Sequence, residues 1–322
     1  MVKKLRFTVS LFVVSCAVAI GAGAIYEAWS RHAVEQRFPP RGKRVDVGGR
    51  RLQIDCRGTG TPLVVFESGL DANGSLSWYK VQDAVATFTR ACSYSRAGIL
   101  WSDPAGGPRN ATAVATDLHR LLESGSEHPP YVLVGHSMGG PYAVSFTQHF
   151  GEEVAGLVLV DPSHPQQFVR SAAITGEGAP TIGPMLRAQT WLGWTGLNRT
   201  MLASSAEADE VLRIIEAYRP VSRVAELREV DAIPATFAEI TSSHDLGSRP
   251  VIVLSGGKID FPRDAERDRR VHEDWIQMHI EEASWSSRGR HEVVASAGHR
   301  IQFDDPAAVV SATRTVVESL RQ

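Results

Sequence analysis

Tyr131-Val-Leu-Val-Gly-His-Ser-Met-Gly-Gly140 is the stretch that decides the fold. Four apolar residues, two of them β-branched, read as a short buried strand. Gly135-His136-Ser137-Met138-Gly139 then matches G-x-S-x-G, a sharp turn that lifts a serine onto the corner between a strand and a helix. Small residues are needed on both sides because the two backbones approach closely, and the serine is forced into strained dihedrals. The weakly polar run Tyr142 to Phe150 supplies the helix that must follow. Strand before and helix after are the context that makes the motif meaningful.

Working outward, the same rhythm repeats. Val114 to Leu122 has apolar residues three and four apart, an amphipathic helix leading into the motif. Gly156 to Val160 is a fully apolar strand stopped by Asp161-Pro162. Upstream, Pro62 to Glu67 and Thr89 to Tyr94 read as strands, with a helix over Trp78 to Phe88 between them. Arg44 to Val47 and Arg51 to Cys56 alternate around Gly48-Gly49 like a hairpin. Downstream, Pro250 to Leu254 and His291 to Ala295 are strands, separated by a charged helix that ends near Glu282, and a last helix covers Pro306 to Leu320.

Pro165 to Arg249 breaks the alternation. It is rich in helix formers, as in Ala206 to Tyr218 and Ser222 to Glu229. Its apolar group Trp191, Leu192, Trp194, Met201 and Leu202 is either the core of a small helical subdomain or the roof of a pocket.

Strands alternating with helices imply a mainly parallel sheet with helices on both faces. Ligands in such sheets bind beyond the carboxyl ends of the strands. Ser137, Leu70, Asp161, Asp260 and His299 all follow strand ends, so they share one rim despite their separation in sequence.

By its motifs the chain resembles an α/β-hydrolase over roughly Arg44 to Leu320. Besides Gly-His-Ser-Met-Gly-Gly, Tyr94-Ser-Arg-Ala-Gly98 followed by Ser102-Asp103 is similar to the family's Tyr-Asp-x-x-Gly…Ser loop, with Ser95 where aspartate is usual. Ala297-Gly-His299 followed by Asp305-Pro306 resembles its terminal Gly-His and acidic-Pro pair. Ser68-Gly69-Leu70 stands where the family usually has His-Gly-x. The resemblance implies an α/β-hydrolase fold, with a mostly parallel eight-stranded sheet and a helical cap inserted after strand six. Core is expected at 44–164 and 251–322, and the cap at 165–250.

Chemistry assigns the roles. A serine hydroxyl is a poor nucleophile until a base removes its proton. Chain order in this fold puts that histidine last, which selects His299 over His291 and over His136 in the turn itself. Two backbone donors must hold the developing oxyanion: the N–H of Met138 and, by analogy, that of Leu70. Two residues compete to be the acid. Asp260 follows the seventh strand, the family's commoner location, but Gly256-Gly-Lys-Ile-Asp260 is one residue longer than usual. Asp161 ends the sixth strand, and Leu159-Val-Asp-Pro-Ser-His-Pro165 resembles a membrane-anchored subgroup that often lacks an acid after strand seven. The reading favours Asp161. The family's strand order also sets Cys56 beside Cys92, which predicts a disulfide in an oxidising compartment.

The N-terminus points to such a compartment. Lys3, Lys4 and Arg6 precede Phe7 to Tyr26, an uncharged stretch of twenty residues. At about 1.5 Å per residue it spans roughly 30 Å, a bilayer core. A signal anchor over 1–26 with a linker over 27–43 fits best. Cleavage after Ala22-Gly-Ala24 and lipidation at Cys16 are the other readings. In each, the basic end stays cytoplasmic and the domain lies on the extracytoplasmic side.

The expected protein is therefore a membrane-anchored serine hydrolase. It acts on a small-molecule ester, less readily an amide or peptide, without metal or organic cofactor. A net charge of −2 gives no case for nucleic acid. A non-catalytic binding scaffold and a cofactor-free perhydrolase or aminopeptidase are the alternatives, whereas Ser137 argues against the aspartate-dependent epoxide and haloalkane branches.

Overall fold

The β-branched and alternating runs form one sheet in a computed structural model, which describes residues 2–178, 183–201, 209–260, 262 and 264–322. Its strands are β1 (Lys43–Asp46), β2 (Arg51–Arg57), β3 (Leu63–Glu67), β4 (Ala91–Ser95), β5 (Tyr131–His136), β6 (Val154–Val160), β7 (Gly247–Gly256) and β8 (Ser286–Val294). The spatial order is β1-β2-β4-β3-β5-β6-β7-β8. β2 lies antiparallel to β1 and β4, and every other pairing is parallel. This is the α/β-hydrolase sheet.

The helices are α1 (Val2–Arg37), α2 (Gln82–Ala86), α3 (Ala111–Ser124), α4 (Gly139–His149), α5 (Gln167–Thr175), α6 (Pro184–Leu192), α7 (Leu197–Met201), α8 (Glu210–Ser242), α9 (Ala265–Ala283), α10 (Ile301–Asp304) and α11 (Pro306–Ser319). Strand alternation sorts the core into two layers. Tyr131 and Leu133 of β5 pack with Leu121 of α3 and Phe146 of α4, while Val132 and Val134 pack with Val85 of α2 and Val316 of α11. Each such buried side chain contributes about 1.5–3 kcal/mol. Cys56 and Cys92 face each other in the β2–β4 register and are joined as a disulfide. On the chain-entropy view that closure of a 36-residue loop stabilises by about 4 kcal/mol.

The last strand starts five residues before the expected His291, and three further segments differ from the sequence reading. The helix expected from Trp78 opens instead as a 3-10 turn over Gly74–Trp78, because the fully buried Trp78 ring stacks on Phe66 with centroids 4.9 Å apart. The two helices expected before Glu229 are one, α8, in which Pro220 and Pro234 are both internal. Each proline forfeits a backbone hydrogen bond, but the Asp209 side chain caps the start and a buried face from Val211 to Ile240 outweighs the loss. The expected start of that helix at Ala206, and Leu202, lie outside the described residues. Finally, the expected linker from Glu27 is helical through Arg37, since Val34 and Phe38 find apolar partners in Leu76, Trp101, Ile214 and Tyr218.

Candidate active site

Ser137 sits one residue beyond β5 with φ of 51°, a left-handed backbone rare for a side-chain-bearing residue. The surrounding glycines explain how it is held. A Cβ on Gly135 would lie 2.4 Å from the Gly139 carbonyl, one on Gly139 2.4 Å from the Glu67 carbonyl, and one on Gly140 2.6 Å from Pro162. Ser137 N–H donates to the Val160 carbonyl at 3.1 Å, and Ser163 N–H returns a bond to the Ser137 carbonyl at 3.0 Å. The turn is thereby fastened to the end of β6.

Asp161, the first residue beyond β6, is also left-handed, with φ of 45°. Its side chain is buried, 2% exposed, and accepts from Gly256 N–H at 2.7 Å and Trp275 Nε1–H at 3.1 Å. His299 stands in the turn between β8 and α10. Its Nδ1 lies 2.6 Å from Asp161 Oδ2 and its Nε2 3.1 Å from Ser137 Oγ. A ring nitrogen facing a carboxylate carries the proton, so Nε2 offers its lone pair to the Ser137 hydroxyl. Burial works against the charge on Asp161, but the bond from His299, the nearby imidazoles and the Gly256 N–H outweigh it and hold the carboxyl below its ordinary value.

Asp260 is placed differently. Its Oδ2 accepts the backbone N–H of His299 at 2.8 Å, and a Cβ on Gly298 would collide with its carboxylate. It braces the histidine's turn and does not reach the ring, consistent with the extra residue in its loop. Met138 is the N-cap of α4, and Leu70 packs beside Met138 in an apolar cluster. Gly69 lies so close to the serine turn that a Cβ there would come within 3.1 Å of Ser137 Cβ.

Several neighbours escaped the sequence reading. His136 packs against the catalytic candidate His299. Its Nε2–H donates to the His299 carbonyl at 3.0 Å, and the two rings are 4.8 Å apart. Burial, and then the charge of His299, depress it to about 3, so it stays neutral. Behind Asp161, His279 is fully buried; its Nε2–H donates to the Pro162 carbonyl at 2.9 Å, and Ser255 Oγ lies 2.6 Å from its Nδ1. His291 Nε2 reaches that same hydroxyl at 2.7 Å, which makes it a supporting residue at a distance from Ser137.

Arg96 is the largest omission. Fully buried, it donates to Glu67 and to the Ser68 carbonyl at 2.7 Å each and to the Gly69 carbonyl at 2.7 Å. Tyr94 OH donates to the other Glu67 oxygen. A buried guanidinium needs such partners, and here they fix the loop that carries Leu70. The only sequence signal was its place in Tyr94-Ser-Arg-Ala-Gly98.

The roof is also not the expected one. Phe168 of α5 and Ile233 and Phe237 of α8 pack against Met138 and Leu70. Trp191 and Trp194 are 80% and 55% exposed, and they border a cavity of about 800 Å³ that Ser137 does not line. A smaller cavity of about 330 Å³ is bordered by Asp161, Trp275 and His299. Among the described residues the one grouping of metal-type donors is Cys56, Cys92 and Glu127, whose sulfurs are bonded to each other and offer no thiolate.

The sheet, with its serine turn at the carboxyl end of β5, has the α/β-hydrolase architecture. The chain belongs to the α/β-hydrolase family, whose model matches residues 21–312. It is 23% identical over 297 residues to an AB hydrolase superfamily protein of Gibberella zeae, covering 81% of this chain and 87% of that protein. It is 26% identical over 205 residues to an esterase of Mycobacterium tuberculosis, covering 62% and 63%. Other curated relatives are matched over only 19%, 40% and 20% of their own length. A thermophilic esterase from Thermogutta terrifontis shares the fold with a TM-score of 0.58 at 19% identity, over 87% of this chain and 99% of that one.

Proposed function

We propose that this protein is a membrane-tethered serine hydrolase that cleaves an ester through an acyl-enzyme on Ser137. The observation that carries the reading is the unbroken run from Asp161 to His299 to Ser137, at 2.6 and 3.1 Å. His299 Nε2 takes the hydroxyl proton as Ser137 Oγ attacks the carbonyl carbon. The N–H groups of Met138 and Leu70 hold the oxyanion, and together such donors are worth a few kcal/mol. The alcohol leaves with the proton from His299. Water then attacks the acyl-enzyme with the same histidine as base, which returns the serine and releases the acid. Asp161 fixes the tautomer and stabilises the imidazolium; it keeps its own charge.

Ester is preferred to amide on the esterase names among the relatives and on the apolar packing around Met138 and Leu70. The tether is Phe7 to Tyr26 within α1, and the catalytic domain lies on the extracytoplasmic side, where Cys56–Cys92 can form. Labelling with a fluorophosphonate tests the class. Wild type should be labelled and Ser137→Ala should not, with turnover of nitrophenyl esters reduced roughly 10⁴–10⁶-fold. A folded Ser137→Ala variant with wild-type esterase activity removes the assignment.

A further inference from the structure

We propose that the cap rests in the surface layer of the bilayer, with Trp191 and Trp194 inserted at the level of the lipid headgroups. The inference rests on the anchor reading and goes beyond it. The tether alone would allow a domain swinging freely above the membrane; the contacts of α1 do not.

The helix passes from its apolar stretch into the folded domain without a break. Glu27, one residue past that stretch, is buried and accepts from Arg199 Nε–H at 2.6 Å and Arg31 Nε–H at 2.7 Å. One turn earlier, a Cβ on Gly23 would meet the Thr195 carbonyl at 2.3 Å. Further on, the Phe38 carbonyl accepts from Trp101 Nε1–H at 2.9 Å and Tyr218 OH at 3.0 Å. The helix is therefore clamped at three heights.

That clamp fixes the depth of the cap. Residues 193–196 pack on Gly23, which is inside the last turn of the twenty-residue stretch. If Phe7 to Tyr26 fill the hydrocarbon, Gly23 lies just below its edge, and the 193–196 turn beside it is at the interface. The side chains flanking that turn suit such a place. Trp191 is 80% exposed, Trp194 55%, Leu192 42% and, two helix turns before Leu192, Met185 65%. Tyr26 and Trp29 of α1 are exposed as well, Tyr26 beside Gly196 of that turn. Both tryptophans also border the cavity of about 800 Å³ beside Arg31 and Glu35, yet they stay 80% and 55% exposed, and tryptophan is favoured where its ring meets acyl chains and its N–H meets headgroups.

The test uses the full-length chain in phosphatidylcholine vesicles, with and without bromine on the acyl chains, and reads quenching of tryptophan emission. Intact mass of the same sample first establishes that residues before Glu27 are retained. Trp29→Phe gives the share owed to α1. With the anchor retained, Trp191→Phe/Trp194→Phe should lose most of the bromine-quenched emission that remains in Trp29→Phe. Quenching in the double variant equal to wild type, on an anchored chain, overturns the proposal. So does an anchored dimer that buries these tryptophans against a second copy. A mature chain lacking the stretch defeats the anchor reading itself, and the mass distinguishes that result from the others.

Discussion

Arg96 and Glu229 form a two-point ion pair inside the protein, Nε to Oε1 at 2.9 Å and Nη2 to Oε2 at 2.8 Å, with both side chains within 1% of complete burial. The residues are 133 positions apart, one in the turn after β4 and the other in the middle of α8. Since the same guanidinium holds the Ser68 and Gly69 carbonyls, the cap helix and the Leu70 loop hang from one cation.

Glu229→Gln keeps the shape but weakens one arm of that pair. It should lower kcat about tenfold or more while moving KM less, because removing one oxyanion donor outright costs about 10²–10³. Arg96→Lys, a single point charge, should be worse and should lose thermal stability too. Steady-state kinetics beside a melting curve check this. An unchanged kcat in folded Glu229→Gln would show that the Arg96–Glu229 pair does not act on turnover through the Leu70 loop.

Asp161→Asn and Asp260→Asn separate the two candidate acids. The first should cost about 10⁴ in kcat, since an amide favours the wrong imidazole tautomer. The second loses only a brace on the His299 N–H and should cost far less. The reverse order in ester turnover transfers the role to Asp260.

Acid stability follows from buried imidazoles. Burial holds His136 at about 3 and His279 at about 4 when folded, against 6.5 as the ordinary value. The unfolded chain therefore takes up these protons first as pH falls. Their contribution to stability is whole above about pH 6.5 and shrinks as pH drops toward 3. His136→Gln, which keeps a donor for the His299 carbonyl, should flatten the fall in melting temperature between pH 6.5 and 4. A fall as steep as wild type counts against a neutral, buried His136.

Truncation maps where the fold begins. A chain starting at Glu27 should remain folded and active without detergent, because Glu27, Val34 and Phe38 keep their contacts. A chain starting at Arg44 loses the packing of Val34 and Phe38, about 2–4 kcal/mol, and should melt lower. Equal melting temperatures for the two would make α1 beyond Tyr26 a mere stalk.

Local rules made much of this readable. The strand, the serine turn and the following helix each follow from neighbours within a few residues, and the strand periods fixed the two core layers. The place of Asp161 at the sheet's rim was legible because it depends only on the end of one strand. Arg96 was not: a charged residue in a loop looks exposed until α8 brings Glu229 over it. The exposure of Trp191 and Trp194 depends likewise on where α6 docks, and Pro220 and Pro234 hid the continuity of α8 because only burial along its length overrides them.

Ser137 and Asp161 occupy left-handed positions at the ends of adjacent strands, wired together by the Ser137–Val160 and Ser163–Ser137 backbone bonds. Under the proposed mechanism, nucleophile and charge belong to the innermost part of the sheet, and the loop after β7 carries no electrostatic duty. What it retains is a hand on the pose of His299 through Asp260. Mutational drift or deliberate design in that loop can retune the histidine's angle while leaving the source of its charge alone, a separation of controls that a loop carrying the acid itself would forbid.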